Sequence, residues 1–101
     1  MKIREKGGAI IDVFAVYFVD NEPIFYGLPK NQGGLIAYKS SEVSVVENHM
    51  VGRYVLFKRG IYHWALIEEE LLDDLSEHDK DAYKRFLEIA KKENLLEENF
   101  F

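Results

Sequence analysis

The chain has 101 residues, of which 48% are hydrophobic and 14% aromatic, with a net charge of −5 and no cysteine. That length fits one domain able to bury about two-thirds of its unfolded surface without covalent staples. The missing thiols exclude disulfides, cysteine nucleophiles and cysteine metal sites, and the acidic balance argues against a nucleic-acid backbone, which is bound by a basic patch.

The opening residues Met1 to Gly8 are charged, and Asp12 interrupts the apolar run that follows. No stretch reaches the ~18 apolar residues of a membrane span, and no secretory leader is visible. A cytoplasmic protein without a membrane partner is therefore expected. Residues Ala9–Val19 are apolar on both alternating faces and predict a central strand. Asp20-Asn21-Glu22-Pro23 predicts a turn, because Asp and Asn tolerate turn geometry and Pro supplies no ladder donor. Ile24–Leu28 returns as a strand, and Pro29–Gly34 is a longer loop leading to a strand at Leu35–Lys39. Glu42–Glu47 follows, with Val43 and Val45 on one face. Arg53–Lys58 and Ile61–Ile67 flank Arg59-Gly60 as a tight hairpin.

The pattern changes near Ile67. Ile67, Leu71, Leu72 and Leu75 recur at helical spacing and predict a helix over about residues 68–75. Ser76 stands three residues before Asp79 in a capping-box-like arrangement, ahead of a second helix over about residues 79–93. Its buried stripe is Ala82, Tyr83, Phe86, Leu87, Ile89 and Ala90, and Asn94 is its stop. Strands first and helices last imply an α+β domain spanning residues 1–101. It has an antiparallel β-sheet of five to six strands, followed by C-terminal helices packed on one face.

Catalytic signatures are absent. His49, His63 and His78 lie 14 and 15 residues apart, without metal-ligand spacing. Ser40, Ser41, Ser44 and Ser76 occupy no nucleophile elbow. Gly27–Gly34 lacks the order of a phosphate loop. No metal, cofactor or catalytic residue is expected on this reading. Two residues keep an alternative open. Asp12 is a carboxylate inside an apolar strand, which needs a partner such as Arg4, Arg53 or a backbone donor, or exposure at a sheet end. His63 lies between Tyr62 and Trp64 on a predicted strand, with both rings on the opposite face. A small enzyme would be built around this pair.

Charge is the most pronounced feature. Between Glu68 and Asp81, eight acids face one base, a net of −7 in 14 residues, and the remaining 87 residues carry +2. Glu69, Glu70, Asp73, Asp74, Glu77, Asp79 and Asp81 are the candidate partner-binding residues. The alternative is a solvated helix face of no further consequence.

In size, acidity, lack of cysteine and strands-then-helix layout, the chain resembles the small acidic immunity proteins of bacterial polymorphic-toxin and contact-dependent growth-inhibition systems. Phe25-Tyr26-Gly27-Leu28-Pro29, Trp64-Ala65-Leu66-Ile67-Glu68 and Leu71-Leu72-Asp73-Asp74-Leu75 are similar to stretches in that group. The resemblance implies an inhibitor that binds the toxin domain of a secreted effector, often a basic nuclease, and blocks it. A structural or regulatory subunit, or a homodimer pairing an exposed strand edge, is the competing reading.

Overall fold

The computed structural model describes residues 1–101 and contains seven strands and three helices. The strands are β1 (Lys2–Arg4), β2 (Ile10–Val19), β3 (Glu22–Leu28), β4 (Ile36–Lys39), β5 (Ser44–Glu47), β6 (Tyr54–Phe57) and β7 (Gly60–His63). The helices are α1 (Trp64–Glu68), α2 (Leu72–Ser76) and α3 (Lys80–Lys92). All strand pairings are antiparallel, so the expected α+β architecture is the observed one. The count exceeds the expected five to six because β1 joins the sheet. Its three residues are too few to show a period.

Strand β2 organises the sheet. One side pairs with β3 along its length, and the other is shared, with Ile10–Asp12 against β1 and Ala15–Tyr17 against β7. The sheet therefore forks, one prong ending in β5 and the other in β6. Within β2 the register shifts between Val13 and Ala15, leaving Phe14 as an extra residue. Such a bulge reverses the alternation of side chains. Ile11 and Val13 lie in a small cluster with Ile3 and Phe25, while Phe14 and Ala15 both join the main core under the helices. A strand apolar on both faces is thus explained by two cores, one on each side.

The small core needs no helix to cover it. β4 and β5 are opposite ends of the run β4-β3-β2-β1-β5, yet only residues Ser40 to Val43 join them, with Ser40–Glu42 in a 3₁₀ turn. A flat five-stranded sheet would hold its edges about 19 Å apart, whereas such a link spans roughly 13 Å. The sheet must curl, and Ile3, Ile11, Val13 and Phe25 fill its inside. Gly27 permits the tight curl, since a Cβ there would meet Ile11 Cγ2 at 2.6 Å and Tyr38 Cε2 at 2.9 Å.

The helical third differs from expectation in three places. Trp64–Ile67, expected as strand, is helix, because the His63 side chain turns back to cap α1 and ends β7. The single helix expected over residues 68–75 is two helices, α1 and α2, separated at Glu69–Leu71. Glu70 stands at φ 54° while Glu70 N–H donates to Ile67 O and Leu71 N–H to Leu66 O, each at 3.1 Å. That is a left-handed helix stop built on a glutamate. The third difference is the cap of α3, which is Asp79 rather than Ser76. Asp79 accepts from Ala82 N at 2.9 Å, and Ser76 Oγ donates to Leu72 O.

The amphipathic reading of α3 holds, with Ala82, Phe86, Ile89 and Ala90 buried and Tyr83 and Leu87 half-buried. Asn94 ends α3 at φ 61°. Phe100 folds back into the main core. No helix is long and apolar enough to cross a membrane.

Candidate functional site

The eight acids between Glu68 and Asp81 separate into two groups once their neighbours are known. Glu68 takes a two-pronged ion pair from Arg53, with Nη2 to Oε1 at 3.1 Å, and Arg53 also lies over the Trp64 ring at 5.0 Å. Glu69, half-buried, takes two hydrogen bonds of 2.8 Å from Arg85. These guanidinium hydrogen bonds hold both carboxyls below the ordinary glutamate range. Asp79 is exposed but is committed to capping α3. Glu70, Asp73, Asp74, Glu77 and Asp81 are exposed and form no ion pair. Of the seven candidates, Glu69 and Asp79 therefore serve the fold directly, and five carboxylates remain exposed and unpaired.

The five are mounted on a fixed platform. Leu71 and Leu75 are buried and Ile67 and Leu72 half-buried, which turns Asp73, Asp74 and Glu77 outward. His78 ends α2 at φ 60° and its Nδ1 donates to Gln32 O at 2.7 Å. Leu35 N–H donates to Leu75 O at 3.1 Å, so the loop at Pro29–Gly34 is tied to the far end of α2. A Cβ on Gly34 would collide with the Leu75 carbonyl and the His78 ring, and glycine is what lets the loop approach so closely. Asp73 and Asp74 project from this short helix, Glu70 and Glu77 flank it, and Asp81 stands in the first turn of α3.

His63 has a different position. It is fully buried, and Phe14, Tyr54 and Phe86 meet its ring edge-on at centroid distances of 5.9, 5.8 and 5.4 Å. Ala65 N–H donates to Nδ1 at 3.2 Å, so in the neutral ring the proton sits on Nε2 and is donated to Glu93 Oε1 at 2.7 Å. The other Glu93 oxygen accepts from Trp64 Nε1 at 2.6 Å. Burial pulls the His63 pKa below its usual value, against the opposing pull of Glu93. Both nitrogens are committed and no ring atom reaches solvent. The imidazole can clamp α1 to the end of α3, and it has no lone pair to offer a substrate.

Asp12 lies elsewhere. It sits opposite Lys2 in the β1–β2 ladder and borders a cavity of about 230 Å³ in the fork of the sheet, with Lys2, Glu47, Tyr54 and Asn94. Burial raises its pKa, and the nearby Lys2 ammonium partly opposes the shift. Neither Arg4 nor Arg53 pairs with it. His63 does not line this cavity, but the Phe14 and Tyr54 rings that pack edge-on against it do. The three histidines have separate surroundings, and no group of three or more His, Cys, Asp or Glu side chains comes together to hold a metal ion.

Local reading missed the roles of Arg53, offered there to Asp12, and of Arg85 and Glu93. They act on partners 15, 16 and 30 positions away, at separations that carry no local pattern. No protein-family model matches the chain, and neither a curated protein nor a solved structure matches it significantly.

Proposed function

We propose that the chain is an immunity-type inhibitor, whose exposed carboxylates Glu70, Asp73, Asp74, Glu77 and Asp81 dock on a basic toxin domain of a secreted effector. A cytosolic nuclease toxin is the partner that fits best, because a surface built to hold nucleic acid is basic. The observation that carries this reading is the division within the acidic segment. Two glutamates are neutralised by arginines, yet five neighbouring carboxylates have no counter-charge while both ends of α2 are held. Like charges three or four residues apart on a helix repel by a few tenths of a kcal/mol per pair. Asp73 and Asp74 both stand within one turn of Glu77 in this way. A basic partner relieves the repulsion and is steered toward the surface, an effect that salt weakens.

The test is co-expression with the toxic domain encoded in the adjoining reading frame. The unaltered chain should restore growth, and association at low salt should slow at least tenfold when Asp73→Asn, Asp74→Asn and Glu77→Gln are combined. An unchanged association rate would reduce the segment to a solvated face. Against the rival reading of an enzyme built on Asp12 and His63 stands the commitment of both His63 nitrogens to hydrogen bonds within the protein.

A further inference from the structure

Strand β6 is an open edge, and its chemistry differs from that of the other two. It pairs with β7 alone, as Tyr54↔His63, Val55↔Tyr62, Leu56↔Ile61 and Phe57↔Gly60. Which backbone groups are free follows from the alternation of an antiparallel ladder. Trp64 N–H donates to Arg53 O, so Arg53, Val55 and Phe57 point their backbone groups into β7. Phe18 N–H donates to Arg59 O on the far side of β7, and this agrees with that phase. Tyr54 and Leu56 therefore aim their N–H and C=O groups outward. Leu56 is 85% exposed, the most exposed large hydrophobic side chain in the protein.

Natural edges are blunted by shortness, proline, bulges or charges. β6 is as short as β4 and β5, but no proline, bulge or charge falls between Arg53 and Lys58. The competing edge at β5 carries a register irregularity and the acid Glu47, and β4 runs directly into the 3₁₀ turn.

We infer that β6 is a self-association edge, at which two copies of this chain pair antiparallel across a twofold axis through Val55. In that register Tyr54 of one copy lies opposite Leu56 of the other, and vice versa. Four backbone hydrogen bonds form, and each exposed leucine covers a tyrosine. Charge favours a second copy over an unrelated strand. One end of β6 carries Lys58 and Arg59 at the hairpin tip, and at the other end Arg53 faces two carboxylates, its ion-pair partner Glu68 and the Glu93 bound to the Trp64 ring beneath it, which leaves that end net negative. Antiparallel self-pairing brings the basic tip of each copy toward this negative end of the partner, twice.

A four-residue strand covers less than the ~800 Å² per partner of a standard interface. The dimer is accordingly a weak one, seen at high micromolar concentration. This inference uses none of Glu70, Asp73, Asp74, Glu77 and Asp81, so it stands or falls separately from the docking surface proposed above.

Sedimentation of the full chain across a concentration series tests it. The mean mass should climb from 11.8 kDa toward twice that value. Leu56→Pro deletes one outward N–H without removing a bond to β7, and it should hold the chain monomeric throughout. Should that variant fail to fold by circular dichroism, Leu56→Lys is the second probe. It keeps the backbone donor and removes the apolar cover, and it too should be monomeric. Hydrogen exchange locates the contact, because the Tyr54 and Leu56 amides should gain protection as concentration rises while the β5 amides do not. A wild-type chain that stays monomeric at millimolar concentration overturns the inference, and so does a dimer unaffected by Leu56→Lys. Protection at Tyr54 and Leu56 that arises only when a foreign protein is added would also overturn it.

Discussion

Glu93 and the Asp73–Asp74–Glu77 group carry the same functional group in opposite settings. The Glu93 carboxylate spends both oxygens on interior donors, the His63 imidazole and the Trp64 indole, and fastens the end of α3 to the start of α1. The two carboxylates of α2 and the Glu77 that caps it are exposed and touch no cation. A carboxylate whose hydrogen bonds are all internal contributes to stability, and one whose neighbours repel it is available to something else. Glu68 and Glu69 stand between these limits, exposed or half-buried but tied by arginines across the helical layer.

Breaking the interior side of this contrast should have the largest effect. His63→Leu removes the cap of α1 and leaves the Ala65 N–H and one Glu93 oxygen without their partner, so denaturant unfolding should show a loss of about 2–4 kcal/mol. The same histidine sets a pH dependence. Its folded pKa lies below the ordinary 6.5, so between these two values the unfolded chain binds more protons than the folded one. Stability contributed by neutral His63 is complete above about pH 6.5 and declines as pH falls toward the folded pKa. Thermal melts should trace that decline in the wild type, and its share from His63 should be missing in His63→Leu. Loss of the Glu68 and Glu69 pairs belongs to lower pH, because their carboxyls are depressed and their contribution disappears only as they protonate.

Intermediate effects should come from single polar mismatches in the helical layer. The Tyr83 hydroxyl is buried without a hydrogen-bond partner, and Tyr83→Phe should stabilise the protein by roughly 1 kcal/mol in equilibrium unfolding. Glu70 occupies a left-handed position that favours glycine. Glu70→Gly should therefore raise stability by about 0.5–1 kcal/mol while also removing one carboxylate from the candidate surface. The smallest change is expected on the other side of the comparison. Combining Asp73→Asn, Asp74→Asn and Glu77→Gln should leave the free energy of unfolding nearly unchanged, or raise it by a few tenths of a kcal/mol at low salt. A large destabilisation would assign these carboxylates to the fold and erase the contrast with Glu93.

Most of the sheet and the long helix are legible along the chain, because each depends on neighbours a few positions away. The apolar runs at Ile10–Val19 and Ile24–Leu28 mark strands, and the stripe Ala82, Phe86, Ile89 and Ala90 marks α3. The charge imbalance between Glu68 and Asp81 is a property of composition alone. Other features depend on register and packing. Apolar spacing could not separate strand from helix at Trp64–Ile67, since four apolar residues satisfy either period and the His63 cap decided it. Nor could it place the left-handed stop at Glu70, which is held by bonds to Leu66 and Ile67 that only the folded turn creates. The bulge at Phe14 arises from pairing with β3.

The sequence by itself determined that this protein is acidic, free of thiols and built of strands followed by helices. Only the tertiary structure decided which carboxylates are free, because Arg53, Arg85 and His63 reach their acids across the fold. Local patterns record what a residue is, and the register of distant segments determines which charge it meets.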